Sequence, residues 1–275
     1  MRRRAASLSK ISTVPSDHFV ESRAVDGMPG RMALAKIDTV GRVNAILKGN
    51  IRQLSALIGK MQDPSFAFPV LDSRNPEAHD QFLGEFERLL HNALSAVKSR
   101  VDLLRTLVAR YVADSAPELA AAYSARVAAD FVTDPTHLFL TKLRDYALHV
   151  NLPAIVSSFK FSREEGESFN VLLRVEPLVE ARDHFNATTR KWIEDQGEMF
   201  DIVQILNDYY ARVVDFDRWF SKSIEQYHHR EIVEYQQAAR AFKKSGIQNH
   251  FSECDLAWLA PMRTPAEAAD LLRRR

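Results

Sequence analysis

Between Met32 and Met61 the apolar residues Ile37, Val40, Leu47, Ile51, Leu54, Ile58 and Met61 alternate three and four positions apart, with Asn44 in the remaining slot. That is the spacing of a helix with one apolar seam. An Asn in such a seam either fixes the register between two copies of the helix or sits satisfied in an ordinary bundle helix. Gly41, Gly49 and Gly59 weaken this helix and allow close packing. Asp63-Pro64 to Pro76 reads as a loop. A long amphipathic helix is expected next, with Phe82, Phe86, Leu90, Ala93, Val97, Val101, Leu104, Val108 and Tyr111 on one face. Ser115-Ala116-Pro117-Glu118 opens a shorter Ala-rich helix carrying Leu119, Tyr123 and Val127. Thr133-Asp134-Pro135 places a capping residue ahead of a proline at the first helical position, and so starts another helix. Pro153 ends it, because the residue before proline avoids helical geometry.

The period then changes. Ile155 to Phe161 and Phe169 to Val175 are short β-prone runs separated by polar Arg163-Glu164-Glu165-Gly166-Glu167-Ser168, which predicts a β-hairpin within about 154–176. Helical periodicity returns from Pro177 through Phe185 and Trp192 to a stop at Gly197. A last long helix is expected from about Phe200 to Ser245, using Ile202, Leu206, Tyr209, Val213, Phe216, Phe220, Ile224 and Tyr227, with Gly246 as its C-cap. Residues 1–30, with Pro15, Gly27, Pro29 and Gly30, read as a flexible basic arm, and 247–275 as a tail with a short helix after Pro265. The expected fold is all-α: one helical bundle over 31–246 with a small inserted hairpin.

Composition narrows the function classes. The chain has 275 residues, 46% hydrophobic and 27% charged, and its 9 glycines and 11 prolines suit long helices. A net charge of +1 creates no global field toward nucleic acid or membrane. The ends are basic nonetheless, with Arg2, Arg3, Arg4 and Lys10 near the start and Arg273-Arg274-Arg275 last. The Arg- and Ser-rich start also loosely fits a transit peptide, although a solvated arm is the simpler reading. The single Cys254 rules out an intrachain disulfide framework and a thiolate-rich zinc site, so a reducing cytoplasm is the expected compartment. No apolar run approaches the ~18 residues of a membrane span.

The chemistry-bearing stretch is Lys142-Leu143-Arg144-Asp145-Tyr146-Ala147-Leu148-His149, followed by Asn151-Leu152-Pro153. Arginine neutralises a phosphate and histidine exchanges a proton near neutral pH, which together suit RNA cleavage without a metal. Five residues of helix amount to ~7.5 Å of rise and ~140° of rotation, so Arg144 and His149 do not share one stripe. Asp145 and His149 stand at i,i+4 and do. A second Arg-x4-His, from Arg74 to His79, is interrupted by Pro76 and reads as a decoy. An Arg144–Asp145–His149 cluster also reads as a structural salt bridge within a bundle.

Leu143-Arg144-Asp145-Tyr146-Ala147-Leu148-His149-Val150-Asn151-Leu152-Pro153 resembles the signature of the HEPN superfamily: Arg, a polar residue, a few residues, then His. His91-Asn92-Ala93-Leu94-Ser95-Ala96 and Asp183-His184-Phe185-Asn186-Ala187 are similar to flanking segments of HEPN-like proteins, and the resemblance covers about residues 78–230. It implies an all-α bundle that dimerises with the two motifs facing each other. Active members are metal-independent endoribonucleases of toxin–antitoxin, CRISPR-linked and phage-defence systems; others are non-catalytic RNA- or nucleotide-binding modules. Carried onto this chain, Arg144 would hold the scissile phosphate and His149 would act as general base or acid. Asp145, at the polar position, would orient the imidazole. Expected partners are a second copy of the chain, RNA, and an antitoxin or nucleotidyltransferase, with no membrane. The alternative is a non-catalytic helical RNA-binding or oligomeric interaction protein.

Metal and cofactor chemistry finds little support. Glu225-Gln226-Tyr227-His228 has the Glu-x-x-His spacing of di-iron bundles but lacks a second copy. His228-His229 reads as a solvated face. His250 and Cys254 stand at i,i+4 without further ligands nearby. No phosphate-binding glycine loop, dinucleotide fingerprint or nucleophile elbow is present. Neither a cofactor nor a metal is expected. Phe82, Trp192, Trp219 and Phe220 are expected in the core.

Overall fold

The computed structural model describes residues 23–162, 166–181 and 183–250, without the side chains of 158–168 and 244–250. The expected short helix after Pro265 and most of the basic arm lie outside these residues, as does Cys254. Described residues fall into two compact units, one formed by 36–227 and the other by the segments on either side of it.

The larger unit is helical. Helix α1 (Pro29–Lys60) enters it at Lys36. It buries Val40, Val43, Leu47, Ile51, Leu54 and Leu57, while Ile37 and Ile58 are half-buried. Helix α2 (Pro64–Leu71) occupies part of the expected loop. Its start follows the same rule that was legible elsewhere: the Asp63 carboxylate accepts from the Ser65 amide at 2.9 Å, and Pro64 sits at the first helical position. Helix α3 (Pro76–Tyr111) is capped by Asn75 and buries Phe82, Phe86, Leu90, Ala93, Val97, Leu104 and Val108 as its period requires. Tyr111, expected on that face, is exposed.

Helix α4 (Pro117–Val127) widens into a π-helical turn at Ala128–Val132 before α5 (Pro135–His149) begins. The Asp134 carboxylate accepts from the His137 amide at 2.7 Å, so the Asp-Pro start predicted for α5 forms as expected. Strands β1 (Ile155–Ser162) and β2 (Gly166–Arg174) pair antiparallel from Ile155↔Leu173 to Ser162↔Gly166. The ladder thus reaches into the polar stretch expected to be loop, because backbone pairing needs no apolar side chain. A third strand, β3 (Met199–Phe200), adds to β2 through Leu173↔Phe200. Its two residues are too few to register as alternation. Phe169, Val171 and Leu173 of β2 are buried, and the Phe169 ring meets Phe82 of α3 edge-on at 5.7 Å.

The helical run expected from Pro177 to Gly197 is two short helices, α6 (Glu176–Glu180) and α7 (Ala187–Glu194). Asn186 caps α7 through the Thr189 amide at 2.8 Å, and Phe185 lies buried in the break. Gly197 follows with φ 87°, the left-handed geometry expected at a helix stop. Helix α8 (Ile202–Tyr227) buries Ile202, Leu206, Tyr209, Val213, Phe216, Phe220 and Ile224. Among the aromatics expected in the core, Phe82 and Phe220 are buried, whereas Trp192 and Trp219 are half-buried.

The expected last helix is interrupted. It ends at Tyr227, which is exposed, and α9 (His229–His250) follows, running past Gly246 rather than stopping there. His228 continues the four-residue spacing of Ile224 and Ile232, so the period runs through the interruption and conceals it. His228 is only 8% exposed, not on a solvated face; His229 is exposed.

In the smaller unit, Gly30 of α1 lies against the backbone of α9. A Cβ at Gly30 would stand 2.0 Å from the Glu231 carbonyl oxygen. Gly41, Gly49 and Gly59 are different: nothing lies within 4 Å of the Cβ each would carry, so the close packing expected of them is absent. Gly49→Ala is therefore expected to stabilise the protein by about 0.5–1 kcal/mol through helix propensity. Gly30→Ala should destabilise it despite the same propensity gain, because backbone must move. Paired chemical denaturation curves give both signs.

Candidate functional site

Helix α5 carries the expected motif, and packing of its opposite face determines where the motif points. The Phe139 ring lies 4.8 Å from Trp192, tilted by 38°, and meets Phe200 edge-on at 5.6 Å; Tyr146 lies 5.9 Å from Phe185. His184 Nε2 donates to the Lys142 carbonyl at 3.1 Å. With Phe139, Leu143 and Tyr146 buried, Arg144 and Asp145 fall on the flank and Leu148 and His149 outside. Leu148 is 41% exposed.

Arg144 donates from Nη1 to Asp145 Oδ1 at 3.0 Å, and the two side chains are 30% and 31% exposed. Arg144 Nε is buried and has no hydrogen-bond partner among the described residues. His149 is the last residue of α5 and is exposed. Among the described residues no hydrogen bond joins Asp145 to His149. The i,i+4 spacing allowed that bond, but the carboxylate pairs with the guanidinium beside it. The Arg74–His79 decoy is dispersed: Arg74 pairs with Asp72 at 2.9 Å in a loop, and His79 lies within α3.

A second polar concentration, which the sequence did not disclose, lies between α1, α3, α4, α5 and α8. Arg100 of α3 forms a two-pronged ion pair with Asp217 of α8, through Nη2 to Oδ1 and Nε to Oδ2, the latter at 3.3 Å. Their side chains are 4% and 7% exposed. Asn44 Nδ2 donates to Asp217 Oδ2 at 2.7 Å, and the Tyr210 hydroxyl donates to Asn44 Oδ1 at 2.7 Å. The polar slot in the α1 seam is therefore satisfied inside one chain. Arg100 also lies 5.6 Å from the Phe216 ring centre.

Beside this pair is a cavity of about 90 Å³. Arg100 and Arg105 contribute cations, Tyr123, His137 and Tyr209 contribute polar groups, and Phe131 and Phe216 help form an apolar wall. His137 Nδ1 and the Tyr209 hydroxyl share a hydrogen bond of 2.9 Å, with their rings stacked at 25°. Arg212 of α8 grips Asp134, the cap of α5, at 2.9 Å and 3.0 Å, which ties this end of α5 to α8. Burial pushes the Tyr209 hydroxyl up to about 12. Burial also holds His137 below its ordinary 6.5; Arg100, Arg212 and Arg105 add to that, and Asp134 opposes it.

Among the described residues no three His, Cys, Asp or Glu side chains gather as a metal site, so the Glu225–His228 spacing assembles none. No helix there is long and apolar enough to cross a membrane. The chain matches no family model, no curated protein and no solved structure.

Two outcomes follow from the buried polar groups. Arg100→Met strands the Asp217 carboxylate and should cost roughly 3–5 kcal/mol, whereas Arg100→Met with Asp217→Leu should recover most of that loss. Urea unfolding of the single and double variants tests this; an unrecovered double variant would contradict it. His137 binds a proton more readily once unfolded, so its contribution to stability is present above about pH 6.5 and is lost as pH falls below that value. The melting-temperature gap between the wild type and His137→Gln should accordingly shrink from pH 7.5 to pH 5. A gap independent of pH would refute the assignment.

Proposed function

We propose that the chain is a HEPN-like protein that engages RNA at the C-terminal end of α5 and cleaves it without a metal. The observation that carries this reading is the placement of His149, exposed as the last residue of α5, with the Arg144 side chain five residues earlier on the same helix 30% exposed. Arg144 holds the scissile phosphate, where a planar guanidinium matches two oxygens at once. The ribose 2′ oxygen attacks phosphorus, its proton passes to a base, and the bond to the 5′ oxygen breaks as that oxygen gains a proton. A 2′,3′-cyclic phosphate and a 5′ hydroxyl result. His149 serves as the base or as the acid.

A second copy of the chain supplies the other proton-transfer group. Leu148, Val150 and Leu152 surround His149 in sequence and are 41%, 55% and 49% exposed, a patch that a symmetric homodimer would cover. An antitoxin or nucleotidyltransferase would act on the same assembly, in a cytoplasmic defence or toxin–antitoxin setting.

One observation favours the non-catalytic alternative. Asp145 pairs with Arg144, so His149 lacks the carboxylate that would orient it. In that reading the chain binds RNA or partner proteins without cleaving.

The readings separate on two measurements, RNA cleavage and melting temperature, made on the wild type, Arg144→Ala, Arg144→Lys and His149→Ala. The nuclease reading expects cleavage that survives EDTA and falls about 10²–10⁴-fold in His149→Ala. It expects a similar fall in Arg144→Ala, incomplete rescue in Arg144→Lys, and unchanged melting temperatures. An inactive parent whose Arg144→Ala variant melts early would retire it.

A further inference from the structure

The cavity beside the Arg100–Asp217 pair has features that core packing alone does not require. Arg100 is matched by Asp217, and Arg212 by Asp134, which leaves Arg105 as the cation lining the cavity with no ion-pair partner among the described residues. Arg105 is exposed and Val132 is 56% exposed, so this side of the cavity is open to solvent. Tyr123 lines the cavity, and its hydroxyl has no hydrogen-bond partner among the described residues. His137 uses Nδ1 on Tyr209 and keeps Nε2.

The backbone is also specialised here. The π-helical turn at Ala128–Val132 carries Phe131 inward against Phe216 at 5.3 Å and His137 at 5.4 Å. Such turns are rare and concentrate at functional sites, because the extra residue per turn widens the helix. Tyr123 also lines the cavity, and its ring meets Phe216 edge-on at 5.6 Å.

We infer that this cavity is a binding site for a short organic carboxylate. The charge balance supplies one unmatched cation, which suits a monoanion. Phe131, Phe216 and Val127 form an apolar wall, which suits a short hydrocarbon body and gives an inorganic oxyanion nothing to contact. A volume of about 90 Å³ is well below that of a drug-sized pocket, which favours a small ligand. The carboxylate would lie against Arg105 with the Tyr123 hydroxyl donating to it, and its carbon chain would face the aromatic rings. This inference does not rest on the Arg144–His149 reading and shares no residue with it.

Isobutyrate is a suitable probe, with isobutyramide as its neutral isostere and sodium chloride and inorganic phosphate at equal ionic strength as controls. At 10 mM, isobutyrate is expected to raise the melting temperature of the full chain by about 2–4 °C, while the three controls leave it in place. Arg105 is exposed and has no ion-pair partner among the described residues, so Arg105→Ala should fold normally and lose the shift. Tyr123→Phe should reduce it. The His137 ring signals in a proton–carbon NMR spectrum should move with isobutyrate in the wild type and stay fixed in Arg105→Ala. An absent shift, an equal shift with isobutyramide or phosphate, or an undiminished shift in Arg105→Ala would overturn the inference.

Discussion

The Arg100–Asp217 ion pair is the constraint on which the larger unit depends. Two charges removed from water cost several kcal/mol each, and the pair is tolerable only when geometry and further hydrogen bonds offset that cost. Here the fork of Arg100 meets both carboxylate oxygens, Asn44 donates to one of them, and Tyr210 satisfies Asn44 in turn. Each group comes from a helix whose remaining inward positions are apolar. Sliding α1, α3 or α8 by one turn would leave a buried charge facing hydrocarbon, so the network selects one register among several that the apolar seams would accept. Apolar burial supplies most of the stability, and the polar cluster supplies much of the uniqueness.

That division explains what the sequence disclosed. The helices were legible because their signals are local: an apolar stripe of fixed period, and a capping residue before proline at Asp134-Pro135. The same signal at Asp63-Pro64 was masked by Pro69 and Pro76, which made the segment resemble a loop although α2 forms there. The interruption at His228 was hidden for the opposite reason, since the period continues across it. The hairpin was visible as a change of period; β3 was not, because two residues cannot show alternation.

The polar sites were less legible because their partners are distant. Arg100 and Asp217 are 117 positions apart and Asn44 and Asp217 are 173 apart, each lying in a run that reads as ordinary amphipathic helix. An Arg among Ala93, Val97 and Leu104 on one helical face is a local anomaly, and it was the available hint that a buried anion awaited it. His137 offered less, since a histidine two residues after a helix-starting proline has many unremarkable uses. The Arg144–His149 stretch was conspicuous for its residue types, yet which group pairs with which was decided by side-chain geometry.

That geometry bears on what α5 can do. The Arg144–Asp145 pair is about one-third exposed on each side, and ion pairs so open to solvent contribute only about 0–1 kcal/mol. A phosphate offers the guanidinium two oxygens and a full charge, and so competes with a single carboxylate oxygen at 3.0 Å on favourable terms. Asp145 displaced in this way stands one helical turn from His149, the partner its i,i+4 position suits. The Arg100–Asp217 pair, sealed between helices, has no such alternative. Burial separates the two clusters, although both are built from arginine and aspartate: the Arg144 pair stands one-third open to solvent, whereas the Arg100 pair is sealed between helices and holds them in register.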